Sequence, residues 1–128
     1  MQLVEQHLYL PPFWIAEASV EREDWLLYTS VTQEVCRHLL MAVVAMNREY
    51  FPGVKRQAQL LSELAIQPED FNIRLNAILR GDPQAAIAEV YRLYDDVFAL
   101  VQKHVPQASV TGARERFLNR RAQWFSAP

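Results

Sequence analysis

The chain has 128 residues, 51% of them apolar, with 13 basic against 15 acidic side chains, a formal net charge of −2 and a mean hydropathy of −0.11. That length suits one domain with a sizeable core, and the composition excludes a disordered or membrane-embedded chain. The slight negative charge gives no general electrostatic drive toward nucleic acid, and the lone Cys36 excludes an internal disulfide or a thiolate-rich metal site.

Residues Met1 to Leu10 (MQLVEQHLYL) alternate loosely between apolar and polar, which predicts an extended arm or linker over 1–12, or the remnant of a strand from a domain absent here. No basic region followed by an apolar block opens the chain, so no secretory signal is expected and the expected location is cytoplasmic. Pro11-Pro12 breaks what precedes and suits the first turn of a short helix, Phe13 to Arg22, with Trp14, Ala18 and Ile15 facing inward.

The longest element follows. Tyr28, Val31, Val35, Leu39, Val43, Met46 and Tyr50 recur at i+3 or i+4 steps, the signature of one apolar helix face. Cys36, Leu40 and Val44 add a second stripe beside it. Ser30, Glu34, Arg37 and Arg48 mark a polar strip that Met41 and Ala45 interrupt, so the middle of the helix is apolar nearly all round, as expected where other helices cover it on several sides. Asp24 suits its N-cap, and a helix from there to Tyr50 would run about 39 Å. Tyr50-Phe51-Pro52-Gly53 reads as the structural corner that stops it: Pro52 pushes Phe51 out of the α region and Gly53 permits a positive φ. The apolar run Leu39–Met46 is far short of the roughly 20 residues that cross a bilayer, so no membrane role is expected.

A third helix is predicted from about Val54 to Ala65, and a fourth from Pro68 at N1, with Phe71, Leu75, Ile78 and Leu79 buried. Gly81-Asp82-Pro83 punctuates the chain as a stop, an N-cap and an N1 proline. The fifth helix, Pro83 to His104, turns Ile87, Val90, Tyr91, Tyr94, Val97, Phe98 and Val101 to the core. Pro106 ends it, and a last helix runs from Ala113 to Phe125 with Phe117, Trp124 and Phe125 as anchors. The predicted architecture is all-α: an antiparallel bundle of five to six helices over 13–128, built around the long central helix.

Chemistry is sparse. His7, His38 and His104 have no paired ligand spacing, so no metal site is expected. Asp95 and Asp96 are adjacent on a helix and point about 100° apart. Cys36 belongs to an apolar stripe and reads as core. There is no glycine-rich phosphate loop and no nucleophile elbow. One polar group has coherence: Glu34, Arg37, His38 and Arg48 along the outer strip of the central helix, with Asn47 at its end. Polar groups on a mostly buried helix need partners, which are either neighbouring helices or a ligand or interface. Lys55, with Arg56, stands where a cation gains nothing from a helix dipole, which makes it a further binding candidate.

The run AMNREYFPGVKR, Ala45 to Arg56, resembles the helix end in the C-terminal helical domains of bacterial nucleotidyltransferases, where Asn-Arg is followed by two aromatics, Pro-Gly and Lys. The charged link ERED-W, Glu21 to Trp25, is similar to the segment preceding the central helix there. The resemblance spans about Phe13 to Val101, with its sharp part at Asn47 to Lys55, and belongs to the broader HEPN-like helical class. It implies a non-catalytic, substrate-binding domain that closes the cleft of a nucleotidyltransferase catalytic domain, supplied in cis or in trans, or that mediates dimerisation. Mg²⁺ and a nucleotide would then belong to that catalytic partner and no cofactor to this chain. No strand-Gly-Ser turn or Asp-x-Asp pair of such a catalytic part is present. Nor is any Arg followed four to six residues later by His, the spacing of HEPN-like ribonucleases. The alternative is a stand-alone helical interaction protein, one member of a two-gene pair. In either case Leu8, Tyr9, Leu10, Trp124 and Phe125, near the chain ends, are expected to offer an apolar contact surface for a homodimer or partner.

Overall fold

A computed structural model describes residues 2–48 and 57–119. Among them are seven helices and no strand: α1 Gln2–Leu8, α2 Trp14–Glu21, α3 Trp25–Met46, α4 Gln57–Glu63, α5 Phe71–Arg80, α6 Pro83–His104 and α7 Thr111–Phe117. The all-helical bundle expected from periodicity is the fold. α3 lies at its centre, with α1 and α2 packed on it and with α5 and α6 also in contact.

Both stripes of α3 are used. Val35, Leu39, Val43 and Met46 are buried, and so are Cys36, Leu40 and Val44, because different helices cover different sides of the same cylinder. Full burial of one such large apolar side chain stabilises a fold by about 1.5–3 kcal/mol, so this helix carries a large share of the core. The Asp24 carboxylate caps its start, accepting from the Leu27 amide at 3.2 Å. Its end falls earlier than the reading to Tyr50. Met46 is the last helical residue, and Arg48 takes the left-handed conformation at φ 59°. The Asn47 side chain, bonded to Val43 and Ile66, fixes that turn. The corner Tyr50, Phe51, Pro52 and Gly53 lies outside the described residues.

The N-terminal stretch is corrected: it is helical, not extended. Val4 and Leu8 fall one turn apart on a single face and are buried, as is Leu10 just beyond. Four contacts fasten the segment. Glu5 Oε1 accepts from the Ser109 amide at 2.7 Å, and His7 meets His38 of α3. The Leu8 carbonyl accepts from the Tyr94 hydroxyl at 3.0 Å, and the Leu10 carbonyl accepts from Arg116 Nε at 3.1 Å. Leu8 and Leu10 therefore offer no outer surface. Tyr9 is exposed, yet its ring lies under the Arg116 guanidinium at 4.8 Å.

The fourth predicted helix also starts late. Asp70 is left-handed at φ 55°, so the backbone cannot be helical through it, and buried Pro68 precedes α5 instead of opening it. Leu79 faces outward, against expectation, while Phe71, Leu75 and Ile78 are buried. Gly81 stops α5 with an ordinary negative φ. Glycine is needed there for space, since a Cβ would sit 2.6 Å from the Ala77 carbonyl oxygen. Asp82 caps α6 through the Ala85 amide, with Pro83 at N1, as the sequence predicts. α7 begins at Thr111 and takes Gly112 into its first turn. Trp124 and Phe125 lie outside the described residues.

An aromatic cluster closes the bundle. The Tyr94 ring stacks on Phe117 at 4.0 Å between centroids, Phe117 stacks on Phe13 at 5.5 Å, and Tyr91 meets Phe13 edge-on at 5.3 Å. Burial pushes the Tyr94 phenol far above its ordinary range, so the hydroxyl remains a donor to Leu8. Tyr94→Phe removes this hydrogen bond while the Leu10 amide still bonds the same carbonyl, and is expected to lower stability by about 0.5–1.5 kcal/mol. Urea denaturation of the two chains checks this, and equal midpoints would remove the hydroxyl from the account.

Candidate functional site

The polar strip of α3 divides into two unlike halves. In the first, Glu34 is the centre. Arg37 Nη2 donates to its Oε1 at 3.0 Å and His38 Nε2 approaches the same oxygen at 2.8 Å. The Arg37 hydrogen bond holds the Glu34 carboxyl below its ordinary range, against the opposing effect of burial and with His38 adding to the lowering. A carboxylate only accepts, so Nε2 of His38 carries the proton. In a neutral ring its Nδ1 is then an acceptor, and it faces Nδ1 of His7 at 3.0 Å, which must donate. The result is a directed chain, His7 to His38 to Glu34, joining α1 to α3. Sequence spacing gave no hint of it, because the two histidines stand far apart in the chain and only the folding of α1 onto α3 brings them together.

Beside this chain lies an apolar groove of about 420 Å³. Leu10, Ile15, Leu27, Val31 and Val35 form its walls, and Glu34 stands at the rim. It opens next to the first turn of α3, where Trp25, Leu26 and Leu27 are 48, 81 and 43% exposed.

The second half of the strip is structural. The Asn47 Nδ2 donates to the carbonyls of Val43 and Ile66, both at 2.7 Å, and its Oδ1 accepts from the Ile66 amide at 3.0 Å. This side chain pins the segment after α4 to the end of α3, with both amide protons used and its oxygen accepting one bond. Arg48 is exposed beyond the helix end and does not join Glu34, Arg37 and His38. Lys55 lies outside the described residues.

Elsewhere the acidic and basic side chains answer each other. Arg74 of α5 bonds Glu89 and, at 2.8 Å, Asp96 of α6, and Arg92 bonds Glu89 from the other side. Burial raises the Glu89 carboxyl, but the two guanidiniums outweigh it and hold the group below its ordinary range. Asp95 turns away to Arg114 at 3.0 Å, so the adjacent aspartates serve different partners, as their helical offset predicts. Cys36 is core, with burial pushing its thiol up to about 12. Among the described residues no group of three or more His, Cys, Asp or Glu side chains is placed to hold a metal ion, and no helix is long and apolar enough to cross a membrane. No family model, curated protein or solved structure matches this chain.

Asn47→Ala removes three hydrogen bonds at a half-buried site and should cost about 1–3 kcal/mol in chemical denaturation; unchanged stability would return Asn47 to the binding candidates. The histidine chain predicts a pH dependence. Burial first, then His38 and the Arg37 charge, lower the His7 pKa below its ordinary value of 6.5. The unfolded chain therefore binds the proton more readily, and stability contributed by neutral His7 is full above about pH 6.5 and is lost as pH falls toward the lowered folded value. The urea midpoint of the wild type should fall more between pH 7.5 and 5.5 than that of His7→Asn, and parallel curves would refute the assignment.

Proposed function

We propose that this chain is a non-catalytic helical partner domain that docks a nucleotidyltransferase catalytic domain, joined to it or separate, through the first turn of α3 and the groove beside it. The observation that carries this reading is the exposure of Trp25, Leu26 and Leu27 at the start of a helix whose apolar side chains further along are mostly buried. Three consecutive large apolar residues left to solvent favour a partner that covers them, and aromatic side chains supply the energetic centres of such contacts. Leu27 continues the patch into the groove, where Ile15, Val31 and Val35 extend the apolar area. Glu34 at the rim, held by Arg37 and His38, adds an oriented carboxylate for the edge of the interface or for an acceptor substrate.

The class of partner comes from the sequence. Glu21 to Trp25, similar to the link before the central helix in nucleotidyltransferase helical domains, runs directly into the exposed turn. Ala45 to Arg56 carries the sharper part of the same resemblance. In this reading Mg²⁺ and the nucleotide belong to the catalytic partner, and this chain closes its cleft. The compactness of the Trp25–Leu27 patch also favours a second reading, a stand-alone interaction protein that pairs with a second copy, because a small apolar patch can face itself across a two-fold axis.

Leu26→Asp tests both, since a side chain 81% exposed can be changed without disturbing the core. Calorimetric titration with a bacterial nucleotidyltransferase catalytic domain freed of its own helical domain should show binding by the wild type that weakens at least tenfold in the variant. Sedimentation of the chain alone reports the homodimer. Absence of binding, with both chains monomeric at every concentration, would overturn the docking role.

A further inference from the structure

We propose that His7 and His38 form a binding site for a divalent transition-metal ion that favours imidazole, Cu²⁺ or Ni²⁺ ahead of Zn²⁺, with the ion replacing the hydrogen bond between the two rings. The site adjoins the docking groove through Glu34 but does not rest on the docking role. Its basis is a convergence: the Nδ1 atoms of two histidines from different helices stand 3.0 Å apart, with ring centroids at 5.2 Å and planes inclined by 42°.

The chemistry of each ring suits a ligand. His38 gives its Nε2 proton to Glu34 at 2.8 Å, which leaves the Nδ1 lone pair free and directed toward His7. A carboxylate on the far nitrogen is the arrangement that orients metal-binding histidines and raises their basicity. His7 is held neutral at physiological pH, because burial and the neighbouring positive charge oppose its protonation. Its proton can move from Nδ1 to Nε2, so no net proton has to leave. Both rings are partly exposed, and their open side admits water as the remaining ligands.

The separation selects the ion. With metal–nitrogen bonds of about 2.0–2.1 Å, two nitrogens 3.0 Å apart subtend an angle of about 90–95° at the metal. That is the angle between neighbouring positions of a tetragonal or octahedral ion, the geometry of Cu²⁺ and Ni²⁺, which also stand high in affinity for nitrogen donors. Tetrahedral Zn²⁺ needs the nitrogens a few tenths of an ångström further apart. Each ring must turn by roughly 40° from the line between the two nitrogens so that both lone pairs meet at one point, the angle that metal–nitrogen bonds of about 2.0–2.1 Å require. Arg37, the cation nearest the pair, is bound to Glu34, which offsets its charge. With two protein ligands the bound ion serves as a staple between α1 and α3.

The untagged full chain, freed of metal with a chelator, is titrated at pH 7.5 with CuCl₂, NiCl₂ and ZnCl₂. Ring-proton NMR signals and the thermal midpoint are followed. Sub-stoichiometric Cu²⁺ should broaden the His7 and His38 signals before that of exposed His104, and saturating Ni²⁺ should raise the midpoint, since an ion that binds only the folded state stabilises it. His7→Asn and His38→Asn should each weaken binding at least tenfold, and Glu34→Gln about tenfold, through the lost orientation of His38. His104→Ala should leave binding unchanged, and affinity should fall as pH drops below about 6.5, where imidazoles take protons. Circular dichroism confirms that each variant is folded. Broadening centred on His104, an unchanged midpoint, or wild-type affinity in either folded asparagine variant would overturn the site.

Discussion

One buried hydroxyl ties three separate parts of the chain together. Tyr94, near the middle of α6, donates to the Leu8 carbonyl at the end of α1 and lays its ring against Phe117 of α7. The Leu8 carbonyl also accepts from the Leu10 amide at 3.1 Å, so the hydroxyl fills the second acceptor position of a helix-end carbonyl and ties it to α6. The ring stacking continues through Phe117 to Phe13, whose amide donates to the Phe117 carbonyl at 3.1 Å. The entry to α2, the end of α1 and the whole of α7 are thus referred to a single side chain of α6.

The candidate site inherits its geometry from this closure. α1 is only seven residues long and makes too few internal hydrogen bonds to persist alone. Its position is imposed by Val4 and Leu8 in the core, by Ser109 and Arg116, and by Tyr94. Once it is held there, His7 reaches His38, and the Glu34 carboxylate fixes which nitrogen carries each proton. The same placement of Leu10 forms one wall of the apolar groove. A pair of histidines and an apolar groove, neither present in any single element, are products of docking α1 against α3.

The charged side chains show a division of labour that follows exposure. Arg74, Glu89 and Asp96 join α5 to α6, with Arg74 and Glu89 mostly shielded from water, so their attraction is screened less than that of an exposed pair. Arg37 and Glu34 are half exposed and add little to stability as a pair. Their effect is local orientation: the guanidinium holds the carboxylate ionised, and the carboxylate aligns His38. Stability and candidate chemistry therefore reside in different charge clusters.

What the sequence determined by itself was everything that depends on local periodicity and capping. The apolar stripes placed α3 and α6, Asp24, Asp82 and Pro83 marked their starts, and Cys36 read as core, because neighbours along one helix decide these features. Tertiary structure decided the rest. Val4 and Leu8 fit a loose alternation as well as a helical turn, and only their burial against α3 selected the helix. Leu79 shares the apolar character of Ile78 but faces water, since successive residues on a helix point about 100° apart and the neighbours of α5 cover the Ile78 side. Asn47 looked like a binding group at a helix end until Ile66, from beyond α4, took up its carboxamide. The histidines were unrelated in spacing and became a pair in space. A hydrogen bond between residues distant in the chain leaves no period in the sequence, because the chain that separates them is free to be of any length.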